Sequence, residues 1–139
     1  MTIQNVITQL ATLEATITGI AAAHDETPES INQFPTFLNF PAEGSFDRHM
    51  AHGIRRHTYT IKAQLFFGKA DQKSAESKAR PFLYLFMEML DTHIFLNNSC
   101  ITSKLAHWAY GKLEMNKTIY LGYDFDIEVV EDEAKTFVG

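Results

Sequence analysis

From Lys117 to Val130 the chain alternates: Ile119, Leu121, Tyr123, Phe125, Ile127 and Val129 interleave with Thr118, Tyr120, Gly122, Asp124, Asp126 and Glu128. Period two is the signature of a β-strand, whose successive side chains point to opposite faces. A second run, residues 57–67, sets His57, Tyr59, Ile61, Ala63, Leu65 and Phe67 against Thr58, Thr60, Lys62, Gln64 and Phe66. Two long strands, each with one apolar face, call for a sheet covered on that face.

The cover is predicted to be helical. Ile3, Val6, Ile7, Leu10, Leu13, Ile17 and Ile20 recur at spacings of three and four, with Thr2 placed to cap and the helix fading by Ala23-His24 before the turn at Asp25–Pro28. A second helix is expected after Gly68–Asp71, capped by Asp71, with Ala75, Ala79, Phe82, Leu83, Phe86 and Leu90 on one stripe and a kink at Pro81. Phe34–Pro41, with a proline near each end, predicts a short edge strand. The aperiodic stretch Pro41–Ile54 is expected to be a loop with a function, because so long a connection in a compact domain is more often functional than idle. Asn97-Asn98 reads as a turn, and Ile101–Tyr110 as a strand joined to the last one through Gly111 and Asn116. The expected fold is α+β: an antiparallel sheet of about four strands, two helices on one face, order α-β-β-α-β-β.

At 139 residues and 15.8 kDa the chain is expected to be a single domain, 1–139. Twelve Lys and Arg stand against 17 Asp and Glu, a formal charge of −5, which disfavours a function built on phosphate contacts. The lone Cys100 has no intrachain partner, which points to a reducing compartment or one indifferent to redox. No apolar run approaches the roughly 18 residues of a membrane span, and the opening MTIQNVITQL lacks the basic region of a secretion signal. These features predict an acidic, soluble protein.

Signals for chemistry are weak. His49, His52 and His57 include a His-x-x-His spacing that suits zinc, but only Asp47 flanks them and they run into a strand. Cys100 has His93 and His107 nearby in sequence, yet it opens an apolar strand, where a free thiol packs as a small hydrophobe. Asp124, Asp126 and Glu128 read as a solvated face rather than an acid and base pair. No catalytic residue, cofactor site or metal site is assigned, and the expectation is a non-enzyme.

Surface signals are stronger. Arg48, Arg55, Arg56 and Lys62 lie in a segment without acids, while Asp124, Asp126, Glu128, Glu131, Asp132 and Glu133 lie in one without bases. Two solvated patches on a monomer would give this pattern, and so would a head-to-tail interface between copies. Phe66, Trp108, Tyr110 and Tyr120 crowd faces that a half-wet sheet should keep polar, which implies either covering loops or a subunit contact. The expected interface set is Arg48, Arg55, Arg56, Phe66, Trp108, Tyr120, Asp126, Glu128 and Glu131, with Arg55 or Arg56 facing a neighbour's Asp126, Glu128 or Glu131.

The order of these motifs resembles the tail terminator (tail completion) proteins of long-tailed bacteriophages, and more loosely other small head-to-tail joining proteins. The resemblance runs through the first helix into Thr18-Gly19-Ile20, the strand Phe34–Pro41, the strand entered at Arg55-Arg56-His57, the helix with Ala79-Arg80-Pro81-Phe82, and the final strand Tyr120–Val129. It implies an α+β subunit forming a ring, typically a hexamer, at the head-proximal end of the tail tube. There it would end tube growth and dock to the head connector or stopper protein, with DNA passing through unbound. It further implies a place in the virion neck, after assembly in the host cytoplasm, and a projecting segment near Glu43–Ile54. A small-ligand-binding α+β module is the alternative, along with another ring protein of the phage neck or tail. A metal-dependent enzyme using His49 and His52 comes third.

Overall fold

Thr2 accepts the Asn5 backbone N–H on its hydroxyl at 3.1 Å and caps α1, Ile3–Glu14. This is a computed structural model, and it describes residues 2–46, 54–69 and 75–134. The apolar stripe continues to Ile20, but helical backbone stops at Glu14. Thr16 returns its hydroxyl to the Leu13 carbonyl at 2.6 Å, and the Thr16 and Ile17 N–H groups bond three residues back, to Leu13 and Glu14, both at 3.1 Å, so the chain tightens out of the helix before Gly19 turns it at φ +96°. Ile17 is buried from the turn instead.

The next segment corrects the expected order. Ala22–His24 is a short strand, β1, rather than a fading helix end, and it pairs parallel with Thr36–Leu38 of β2 (Thr36–Phe46). Three residues carry no period, so only the tertiary pairing reveals this strand. The remaining strands are β3 (Ile54–Lys69), β4 (Thr102–Met115) and β5 (Thr118–Ala134), and the second helix, α2, is Ala75–Thr92. Five strands therefore replace the expected four, in the sheet order β1-β2-β3-β5-β4, antiparallel everywhere except β1–β2.

β2 also outruns its predicted end at Pro41. Because β1 covers only Thr36–Leu38, the outer side of β2 from Asn39 onward pairs with no strand among the described residues, and a register shift between Pro41 and Glu43 leaves Ala42 out of the pairing. Half of the predicted loop at 41–54 is thus strand, and Phe46 still faces His57 across the hairpin. Residues 47–53 lie outside the described residues, as does Asp71, the predicted cap of α2.

One face of the sheet carries the main core. Tyr59, Ile61, Ala63, Leu65, Phe125, Ile127 and Val129 pack with Val6, Leu10 and Leu13 of α1 and Ala79, Leu83, Phe86 and Leu90 of α2. Both helices share this face. Phe86 stacks between Phe37 at 5.3 Å and Phe125 at 4.3 Å and ties α2 to two strands.

A second, smaller cluster explains the misplaced aromatics. Leu38, Phe66, Leu113 and Tyr120 are buried together on the opposite face under Ile31 and Phe34 from the β1–β2 connection. A register shift between Phe66 and Gly68 accommodates the buried Phe66, whose ring meets Tyr120 edge-on at 5.3 Å. Gly122, paired with Phe66, lies so near β3 that a Cβ there would stand 1.9 Å from the Leu65 carbonyl oxygen. Asn116 and Lys117, both at positive φ, make the two-residue turn of the β4–β5 hairpin.

Candidate functional site

The basic and acidic segments, far apart in sequence, are neighbours in space. β3 and β5 pair with Arg55 opposite Glu133, Arg56 opposite Asp132, His57 opposite Glu131 and Lys62 opposite Asp126. Arg56 forms a fork on Asp132, with Nε and Nη2 at 3.0 and 3.3 Å from the two carboxylate oxygens. Lys62 Nζ donates to Asp126 at 2.9 Å and reaches Asp124 at 3.4 Å; chiefly the Asp126 bond holds its ammonium above the ordinary lysine range. Lys104 of β4 lies 3.6 Å from Glu128, and His107 Nδ1 lies 3.8 Å from Asp126. Three of the residues expected between chains find partners within one. Arg56 has Asp132, Asp126 has Lys62, and Glu128 has Lys104.

At the far end of the hairpin the rings stack. The Arg55 guanidinium sits 3.9 Å above the Phe46 ring, Phe46 lies 4.0 Å from the His57 ring, and His57 tilts against Tyr59 at 4.6 Å. Beneath them, buried Glu131 accepts the Tyr59 hydroxyl at 3.1 Å and faces His57 Nδ1 at 3.7 Å. Burial, then the Glu131 charge, pushes the Tyr59 phenol upward and lifts the Cys100 thiol to about 11. Such a thiol is protonated at neutral pH and is no nucleophile. Glu131 therefore belongs to the interior and not to an outward patch, and Phe66 and Tyr120 are likewise taken up in the small cluster. Arg48, His49 and His52 lie outside the described residues. Among the described residues no group of three His, Cys, Asp or Glu side chains is placed to hold a metal ion.

Among the described residues of the expected interface set, Trp108 is the most exposed as a whole residue. It is 47% exposed on β4, at the opposite end of the sheet from β1, and meets Tyr123 edge-on at 5.9 Å. With Arg80, Leu83 and Tyr84 of α2 and Tyr110 and Tyr123 of the sheet it lines a groove of about 350 Å³. Tyr84 is 69% exposed, and Leu85, on the side of α2 toward Thr16–Thr18, and Ile94 and Phe95 in the following turn are exposed as well. Sequence reading missed these four. The available signal was that Tyr84 and Leu85 fall off the Ala79–Leu83–Phe86–Leu90 stripe and so cannot face the core.

The two ends of the sheet complete the picture. Among the described residues, β4 pairs along one side only, with β5, and β2 beyond Leu38 pairs only with β3. Through β3 and β5 the directions alternate, so β2 and β4 run opposite ways. Among the described residues no helix is long and apolar enough to cross a membrane. Compared with known proteins, the chain matches no protein family and no curated protein.

Proposed function

We propose that this chain is a structural virion protein of a long-tailed bacteriophage, forming a ring, six copies in the first instance, at the head-proximal end of the tail tube. The ring ends tube growth and joins the tail to the head connector or stopper protein, with DNA passing through without specific binding and the protein working as no enzyme. It is assembled in the host cytoplasm and resides in the virion neck. The motif order from Thr18-Gly19-Ile20 to Tyr120–Val129 supports the family.

The geometry that carries the reading is the pair of open sheet edges with opposite strand directions. Rotation about an axis along the strands brings β4 of one copy antiparallel to the Asn39–Phe46 edge of the next. Such a heterologous contact repeats around the axis and closes into a ring. Trp108 flanks that seam, and an exposed aromatic is the kind of residue that supplies most of an interface's affinity. The helices then face outward. The face with Asp124, Asp126 and Glu128 turns to the channel, where carboxylates repel phosphate.

The test adds purified protein to tail tubes assembling in vitro and images them by negative stain. Rings at one tube end and a fixed tube length support the reading, whereas bare ends and unlimited growth remove it. The groove beneath Trp108 favours the second reading, a small-ligand module, since about 350 Å³ falls at the low end of ligand pockets. A ligand that raises the melting temperature of a strict monomer would select that alternative.

A further inference from the structure

One ionisable group lies wholly inside the core with no charged partner among the described residues. Glu14, at the end of α1, is fully buried. Its Oε1 accepts Asn39 Nδ2 at 2.6 Å, and Nδ2 also donates to the His24 carbonyl at 2.9 Å. Those two acceptors fix the amide's orientation, because turning it over would set Oδ1 against two oxygens. Two buried oxygens then have no donor, Glu14 Oε2 and Asn39 Oδ1. They belong to the same two planar groups, already joined by one hydrogen bond.

We propose that Glu14 is held as a neutral carboxylic acid whose Oε2–H donates to Asn39 Oδ1, closing a two-bond ring that clasps α1 and β1 to β2. A single proton satisfies both orphaned oxygens, and an ionised carboxylate satisfies neither. Burial pushes the Glu14 carboxyl well above the ordinary carboxylate range, more strongly than the Asn39 bond lowers it. Among the described residues no charged group on the packed elements counters this. β2 presents neutral Asn39, and β1 presents the His24 carbonyl. Asp25 is engaged by the Thr8 hydroxyl at 3.0 Å, and α2 brings Glu88 and His93 only to the groove beside Thr16–Thr18.

The clasp has a direction in pH. The unfolded chain ionises Glu14 in the ordinary range while the folded chain keeps the proton, so the clasp's stability is complete below that range. It declines as pH rises toward the raised folded value. Above that value a bare charge sits in the core, which loosens α1 and β1 and uncovers the Thr36–Leu38 edge of β2.

The experiment compares urea unfolding of the wild-type chain and Glu14→Gln across the pH range, because glutamine makes the same two bonds without a titrating proton. The wild type should lose up to about tenfold in folding equilibrium constant per pH unit relative to Glu14→Gln above the ordinary carboxylate range. Parallel curves would overturn the proposal. Should Glu14→Gln fail to fold, infrared spectroscopy of the wild type near neutral pH decides. The carbonyl band of a neutral carboxylic acid, lost on unfolding, is expected; a folded protein without that band refutes the clasp.

Discussion

Reversing Arg56 separates pairing within a chain from pairing between chains. Arg56 and Asp132 face each other across β3 and β5 with two hydrogen bonds at 3.0 and 3.3 Å, and their side chains are about one-third exposed. Solvent screening limits such a pair to about 0.2–1 kcal/mol, with the forked geometry at the upper end. Arg56→Glu removes that contribution and sets two like charges opposite, at a similar further cost. The sum is a loss of about 1–2 kcal/mol, or a few degrees in melting temperature for a chain of this length. The swap, Arg56→Glu with Asp132→Arg, should recover most of it. Thermal melts at low and high salt and at two protein concentrations make the assay. The loss should shrink with salt and be independent of concentration. Unchanged melting of Arg56→Glu, or a loss that grows with concentration, would show that Arg56 is engaged by a neighbour and refute the intrachain ladder.

Other outcomes follow from the same geometry. Gly122→Ala should cost several kcal/mol or abolish folding, since its Cβ would overlap the Leu65 carbonyl, and an unchanged urea midpoint would remove the close approach. Phe86→Ala should lose about 3–5 kcal/mol by urea denaturation, because it empties the stack between Phe37 and Phe125. Trp108→Ala should leave melting within about 1 kcal/mol yet weaken self-association, which sedimentation reads directly. Cys100 should resist alkylation at pH 8. Its thiol is raised from 9.0 to about 11 in the folded chain, so its contribution to stability is lost as pH climbs through that window.

The long strands and the helix stripes were legible because burial on one face imposes a period, and Tyr59–Leu65, Phe125–Val129 and Ala79–Leu90 obey it. β1 was not legible, since Ala22–His24 is held by its pairing with β2 and carries no pattern of its own. Phe66 and Tyr120 broke the alternation for a reason visible only in three dimensions: the connection bearing Ile31 and Phe34 folds over them. The charge blocks left two readings open. Opposite blocks far apart in sequence suit two strands in register as well as two chains in contact, and only the β3–β5 pairing tells these apart. Trp108 stays 47% exposed, so no described residue explains its place on β4 by burial.

Edge-to-edge joining of copies is the central claim, and multi-angle light scattering of the purified chain over a concentration series reaches it most directly. The account predicts a species of six times the 15.8 kDa subunit mass growing in with concentration, and its loss when Ala109→Pro places a proline on β4. A monomer at every concentration, or a multimer indifferent to Ala109→Pro, would contradict it.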